Sequence, residues 1–275
     1  MEVCFHTTPA SFRDRVWAFM AEREAENNLL LANTARALEG LGVGDPLMVS
    51  VEDCGRVVGA CLKPQQGGLT LTRLPREAAP ALANTVLQRV AELPGVNGPT
   101  EAAWAFSEAW AVATGTTARR RIRSRIYELE KVIPPGYVSG AMEQVGPEDK
   151  ELVAEWGVCM ARECDMRMPD PAQKMREYVN RGETFLWRDG PVAAMTTAVR
   201  GTPSGCRIAM VYTPPELRHR GYASALVAQL SEHKLNNGCR RCFLFTDSQN
   251  PTSNHIYSEI GYRPICNFDT YEFLP

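Results

Sequence analysis

Val211-Tyr212-Thr213-Pro214-Pro215-Glu216-Leu217-Arg218-His219-Arg220-Gly221-Tyr222-Ala223-Ser224 is the stretch on which the reading of this chain turns. An apolar strand runs into it. A helix leaves it, with Ala225, Leu226, Val227, Leu230 and Leu235 at roughly helical spacing. Residues 217–222 therefore present free backbone N–H groups at a helix N-terminus. Those donors, the positive end of the helix dipole and the guanidinium groups of Arg218 and Arg220 together make a seat for a pyrophosphate. Gly221 lets the backbone approach a ligand with no Cβ in the way, and Ala223 keeps the packing close. The binding residues expected here are Val211, Tyr212 and Thr213 at the strand end and Arg218, His219, Arg220, Gly221, Tyr222, Ala223 and Ser224 in the turn.

A second apolar strand, residues 240–246, follows about twenty residues after the helix begins. It leads into Asp247-Ser248-Gln249-Asn250-Pro251-Thr252-Ser253-Asn254-His255-Ile256-Tyr257-Ser258-Glu259-Ile260-Gly261-Tyr262. The spacing Arg218-x-x-Gly221-x-Ala223 resembles the acetyl-coenzyme A loop of the GCN5-related N-acetyltransferases (GNAT). The run Asn250-x-x-Ser253-x-x-x-Tyr257-x-x-x-Gly261-Tyr262 resembles the segment of the same family that closes over the pantetheine arm. Both occur in the family's order, and the resemblance spans residues 135–275.

The resemblance implies acetyl-coenzyme A as co-substrate and direct attack of an amine on its thioester. The developing oxyanion then needs a backbone N–H, expected on a bulged strand around residues 211–213. The departing thiolate needs a proton, and Tyr257 is the candidate acid, because a phenol with a reference pKa of about 10 can donate as charge builds on sulfur. Asn250 and Asn254, one helical turn apart, are expected to bond pantetheine amides. The general base is open among Glu155, Glu163, Asp165 and Asp247. The acceptor is open too: a small amine, an aminoacyl group, an antibiotic, or a protein N-terminus or lysine.

Composition fits this picture. The chain has 275 residues, 23% of them charged, and a formal net charge of −2, so no global electrostatic bias draws it to nucleic acid or membrane. Residues 1–13 contain Glu2 and His6 and no apolar core, unlike a signal or transit peptide, and no apolar run approaches the ~20 residues of a membrane span. The expected location is the cytoplasm, as a monomer or homodimer. The cysteines are odd in number, nine, and scattered, so they are expected reduced. Cys239-x-x-Cys242 offers two ligands where zinc takes four, and no metal is assigned.

The first half reads as strand 2–6, helix 9–41 ended by Gly40, Gly42 and Gly44, a hairpin around Asp53-Cys54-Gly55, strand 68–74, helix 76–93, helix 100–113 and strand 119–132. Trp104, Phe106 and Trp110 are expected in the core. The arginines 119–121, 123 and 125 alternate with Ile122 and Ile126 like a strand with one solvated face, although they also admit a nucleic-acid module. Ile133-Pro134-Pro135-Gly136 reads as the linker. Beyond it the order repeats, which predicts an α/β protein of two tandem GNAT-like domains, each a mixed sheet flanked by helices: 1–133 and 136–275. The first is expected to be degenerate, since Leu74-Pro75-Arg76-Glu77-Ala78-Ala79 stands in place of the phosphate turn with no glycine and an acid. An acyl-coenzyme A sensor without catalysis is the alternative to an enzyme.

Overall fold

The structure, a computed structural model, describes residues 1–41 and 44–275. The first half runs β1 (Glu2–Phe5), α1 (Pro9–Ala21), α2 (Glu24–Leu38), β2 (Leu47–Asp53), β3 (Arg56–Lys63), β4 (Leu69–Leu71), α3 (Ala79–Leu87), β5 (Gly95–Pro99), α4 (Thr100–Thr114) and β6 (Thr117–Leu129). The second runs β7 (Ala141–Gln144), α5 (Lys150–Glu163), α6 (Pro171–Asn180), β8 (Thr184–Arg188), β9 (Val192–Arg200), β10 (Gly205–Tyr212), α7 (Tyr222–Asn236), β11 (Arg241–Asp247), α8 (Pro251–Glu259) and β12 (Arg263–Leu274). The halves match element for element, so the fold is a tandem of two GNAT-like α/β units.

Three elements of the first half differ from the sequence reading. The expected helix 9–41 is two helices, because the chain leaves helical geometry at Arg23 (φ −129°, ψ 58°). Phe12, Val16 and Met20 of α1 pack on Met48, Ala60 and Leu62, whereas α2 crosses toward the middle of the sheet, where Glu24 accepts hydrogen bonds from the backbone and side chain of Ser204. Gly42 lies outside the described residues. The helix expected over 76–93 shortens to a 3-10 turn, Arg76–Ala78, followed by α3. Strand β5 has no counterpart in the sequence reading, because Gly95-Val96-Asn97-Gly98-Pro99 lacks strand-like composition. Its glycines are needed for close packing: a Cβ at Gly95 would collide with the Tyr271 carbonyl, and one at Gly98 would lie 2.9 Å from the Leu71 Cβ.

Among the described residues twelve strands form one sheet, in the order β1-β2-β3-β4-β5-β12-β6-β11-β10-β9-β8-β7. In each half one strand pair is parallel, β4 with β5 and β10 with β11. At the centre the closing strands are exchanged. Strand β6 pairs with β12 and β11, both of the second half, and β12 pairs with β6 and with β5 of the first. Each half's sheet is thus completed by the other's last strand.

Charge is buried along this seam. Glu272 and Asp269 of β12 have side chains only 3% and 4% exposed; Glu272 meets Arg119 at 2.5 Å and also Arg167, and Asp269 meets Arg120 at 3.4 Å. Burial pushes the Glu272 carboxyl up, but Arg119 and Arg167 outweigh it and hold it below its ordinary value. Arg121 pairs with Asp165 at 2.6 Å, and Arg125 donates to Asn267 Oδ1 at 3.2 Å. Four of the five arginines of the run thus have partners among the described residues, although Arg119, Arg120 and Arg123 remain exposed. Phe106 and Trp110 are core, as expected, but Trp104 is 38% exposed and lies beneath the Arg76 guanidinium, 4.5 Å from its centroid.

Candidate active site

Strands β10 and β11 are paired only over their first residues, Gly205↔Arg241 to Arg207↔Phe243. Beyond that β11 keeps its bonds to β6, up to Asp247↔Ser124, while β10 runs on beside β9 to Tyr212. The two strands splay, and a wedge opens at their C-terminal ends, where ligands of open α/β sheets bind.

On one side of the wedge β10 carries a bulge. Ala209 pairs with Thr197, but Tyr212 pairs with Met195, so one extra residue is accommodated, with Met210 at φ 53°. Thr196 and Thr197 both donate their hydroxyls to the Ala209 carbonyl at 3.0 Å and hold the distortion in place. A bulge takes local N–H groups out of the ladder, and this one falls at the strand end where the sequence expects an oxyanion donor. Just beyond it, Thr213 Oγ1 is buried with no hydrogen-bond partner.

The turn after β10 has the expected form. A 3-10 turn, Pro215–Leu217, leads to His219 (φ 63°) and to Gly221 (φ 80°), which caps α7 from the left-handed region. Among the described residues no backbone acceptor faces the N–H groups of residues 219–224, whereas Ala225 donates normally to the Gly221 carbonyl. The Tyr222 hydroxyl anchors the helix start by donating to Asp189 at 2.7 Å, which with a bond from Ser139 holds that carboxyl below its ordinary value.

The two arginines of the turn are not equivalent. Arg218 donates to the Thr213 carbonyl (2.9 Å) and to Glu163 (2.5 Å), and Glu163 also accepts from the Tyr212 hydroxyl (2.9 Å). Its bond from Arg218 holds the Glu163 carboxyl below the usual range, while burial and Glu163 push the Tyr212 phenol up to about 12. Arg218 thus braces the turn against α5 and the bulged strand. Arg220 forms no ion pair among the described residues; it makes one long bond to the Glu216 carbonyl at 3.4 Å and lies near Asp189 and Tyr222, so of the two arginines it is the one less committed within the turn.

The other side of the wedge comes from β11 and α8. Asn250 caps α8, its side chain accepting from Ser253 N at 3.1 Å. Asn254 Nδ2 donates to the carbonyls of Asp247, Ser248 and Asn250, and its Oδ1 accepts from the Tyr127 hydroxyl at 3.1 Å. The amides expected to meet pantetheine are thus engaged in shaping the loop. Tyr127 lies on the exchanged strand β6, a contribution of the first half that no local sequence signal announced.

Tyr257 is 9% exposed and packs edge-on against Tyr262 at 6.1 Å. Burial, with a smaller influence from Cys164, pushes its phenol up to about 12. Its hydroxyl makes no hydrogen bond among the described residues, so it is a proton donor without an acceptor. Cys164, Asp247 and Glu163 lie near one another, since both carboxylates push the Cys164 thiol up after burial does. Of the four candidate bases, Glu163 is held by Arg218, Asp165 by Arg121, and Glu155 is exposed on α5. The Asp247 carboxylate accepts only from Gln249 N, at 2.9 Å, and forms no ion pair among the described residues. Cys239 and Cys242 are buried, with Cys242 Sγ 3.7 Å from Cys206 Sγ across the parallel pair, and no group of three or more metal-ligating side chains occurs among the described residues. None of the helices described is long and apolar enough to cross a membrane.

The parallel pair splays beside a bulge, opposite a helix whose N-terminal donors are free, and leaves an open wedge at the strand ends. Residues 149–262 match the model of the acetyltransferase (GNAT) family. Solved structures resemble the whole chain. An acetyltransferase of the GNAT family from Colwellia psychrerythraea has 14% identity, TM-score 0.62 and coverage of 99% of this chain and 100% of its own. A GCN5-related N-acetyltransferase from Sphaerobacter thermophilus has 17% identity, TM-score 0.63 and coverage of 98% and 94%. A tandem GNAT protein from the clavulanic acid biosynthesis pathway has 14% identity, TM-score 0.58 and coverage of 98% of each chain. No protein of curated function matches the sequence.

The corresponding turn of the first half is built differently. Pro75 precedes the 3-10 turn Arg76–Ala78, Ala78 caps α3 in the right-handed region, and no residue from 74 to 79 has positive φ.

Proposed function

We propose that the second half binds acetyl-coenzyme A in the wedge between β10 and β11 and transfers its acetyl group to an amine in a ternary complex. The observation that carries this is the coincidence of unpartnered groups around one opening: the N–H groups of residues 219–224, the buried Thr213 Oγ1 and the Tyr257 hydroxyl. They suit the successive parts of such a molecule, with the pyrophosphate on the turn and Arg220, and the thioester between the bulge and Tyr257. The co-substrate supplies an activated acyl thioester. The protein's part is to hold it, offer N–H donors at the bulge where negative charge develops, and manage two protons. Asp247, unpaired at the wedge, takes the proton of the attacking amine, and Tyr257 delivers one to the sulfur that leaves. Residues 1–133 act as a non-catalytic unit whose strand β6 completes the second sheet.

The general test is release of free thiol from acetyl-coenzyme A with a panel of amines. Binding without transfer to any of them would favour an acyl-coenzyme A sensor instead. Within this scheme Tyr257→Phe keeps the ring and its packing against Tyr262. Coenzyme A affinity should stay near wild type while kcat drops roughly a hundred- to ten-thousand-fold, the usual weight of general acid catalysis. A thioester with a more acidic leaving thiol should recover much of the loss. Because the phenol is held up to about 12, it stays protonated as pH rises through neutrality, and wild-type kcat should show no alkaline loss from this group below about pH 11. Full activity in Tyr257→Phe, or a defect confined to binding, would return the residue to a packing role.

A further inference from the structure

A groove of about 470 Å³ opens beside the phosphate turn, sharing Gly221 and Ser224 with it. Its far side is Glu259 and Ile260 at the end of α8, and its third wall is the linker between the halves, residues 134–138. The linker is fixed at both ends. Ile133 N–H donates to the Ile260 carbonyl at 3.0 Å, and the Ser139 carbonyl accepts from Trp187 Nε1 at 2.8 Å while the Ser139 hydroxyl donates to Asp189 at 2.7 Å. Between these ties Val138 sits against the turn so closely that a Cβ on Gly221 would lie 3.0 Å from its Cγ2. Pro134 and Pro135 restrict the backbone further. Tyr137, on this braced segment, is 96% exposed, and its ring has no aromatic or cationic partner among the described residues.

We infer that Tyr137 is a recognition residue for the adenosine end of the acyl-coenzyme A, stacking on its base. The inference rests on the reading above, that the pyrophosphate lies on the turn at residues 219–224. From there the adenosine leaves either into solvent or into the groove that begins at Gly221 and Ser224. An adenine needs an apolar face and an acceptor for its exocyclic amine. Tyr137 and the two prolines offer the first, and the Glu259 carboxylate, 3.2 Å from His255, offers the second. Because the segment is pinned at both ends before any ligand arrives, little ordering entropy opposes stacking. The linker is thereby part of the binding site as well as a tether.

The test compares acetyl-coenzyme A with S-acetyl-4′-phosphopantetheine, which lacks the adenosine together with its 3′-phosphate and one phosphate of the pyrophosphate, on wild type, Tyr137→Ala and Tyr137→Trp. Stacking of a base on an aromatic ring carries a weight that predicts a roughly 5- to 150-fold loss of affinity for the full thioester in Tyr137→Ala. Tyr137→Trp should restore it, and all three proteins should bind the truncated thioester alike. Unchanged affinity in Tyr137→Ala, or an equal loss for both thioesters, overturns the role given to Tyr137 while leaving the phosphate seat in place. Failure of wild type to bind acetyl-coenzyme A at all overturns the seat and this inference together.

Discussion

Gly221→Glu is expected to abolish coenzyme A binding, with affinity falling roughly a hundred-fold or more, equivalent to at least about 2.7 kcal/mol. Gly221 caps α7 at φ 80°, a conformation that side-chain-bearing residues adopt only with strain, and its missing Cβ leaves room that Val138 borders at 3.0 Å. A glutamate there brings bulk into the turn and a negative charge to the donors at residues 219–224, against the helix dipole that favours an anion. Gly221→Asn separates the two effects, because asparagine tolerates the left-handed region and carries no charge. It should retain part of the affinity, and both variants should keep the far-ultraviolet circular dichroism of wild type. Wild-type affinity in the glutamate variant would move the site away from this turn.

Cutting the chain at the linker is expected to leave neither half able to fold alone. In the sheet β12 finds both its partners, β5 and β6, in the first half, and β6 finds both of its own, β11 and β12, in the second. A fragment of residues 134–275 would expose one edge of β11 and leave β12 without a strand beside it. Glu272 and Asp269 would also lose Arg119 and Arg120. Without β5 and β6 nothing orders β12, and the apolar face that it shares with the first half is exposed to water. The fragment alone should aggregate or show no cooperative thermal transition, whereas co-expression with residues 1–133 should give a soluble one-to-one complex that binds coenzyme A. A fragment 134–275 that melts cooperatively as a monomer would mean the exchanged strands are dispensable.

The repeat and the phosphate turn were legible in the sequence because both are local. Gly221, the basic residues beside it and the helical spacing after it lie within one short segment, and the order of elements survives errors at their boundaries. The resemblance predicts a bulge around residues 211–213, and the register shift in β10 falls slightly earlier, between Ala209 and Tyr212. What escaped was non-local. The alternation of the arginines on β6 with Ile122 and Ile126 predicts a solvated face, and Arg119, Arg120 and Arg123 are exposed, but their run's partners, Asp165, Asn267, Asp269 and Glu272, lie some 44 to 153 positions away in the chain. Arg218 read as a phosphate ligand, but Glu163 and Tyr212 reach it only through the packing of α5 on β10. Asn254 is turned toward its own loop by a tyrosine from the other half. Nothing in the composition of Gly95-Val96-Asn97-Gly98-Pro99 marks a central strand, since its glycines serve neighbours that the sequence does not place.

Calorimetric titration of the full-length protein with coenzyme A tests the account most directly. The N–H groups at residues 219–224 are free beneath a left-handed glycine, while the first half places Pro75, Glu77 and a right-handed Ala78 at the same point of its fold. One equivalent per chain is therefore predicted, lost in Gly221→Glu. Two equivalents would show that the first half retains a working seat, and no binding would contradict the assignment of the wedge between β10 and β11 as an acyl-coenzyme A site.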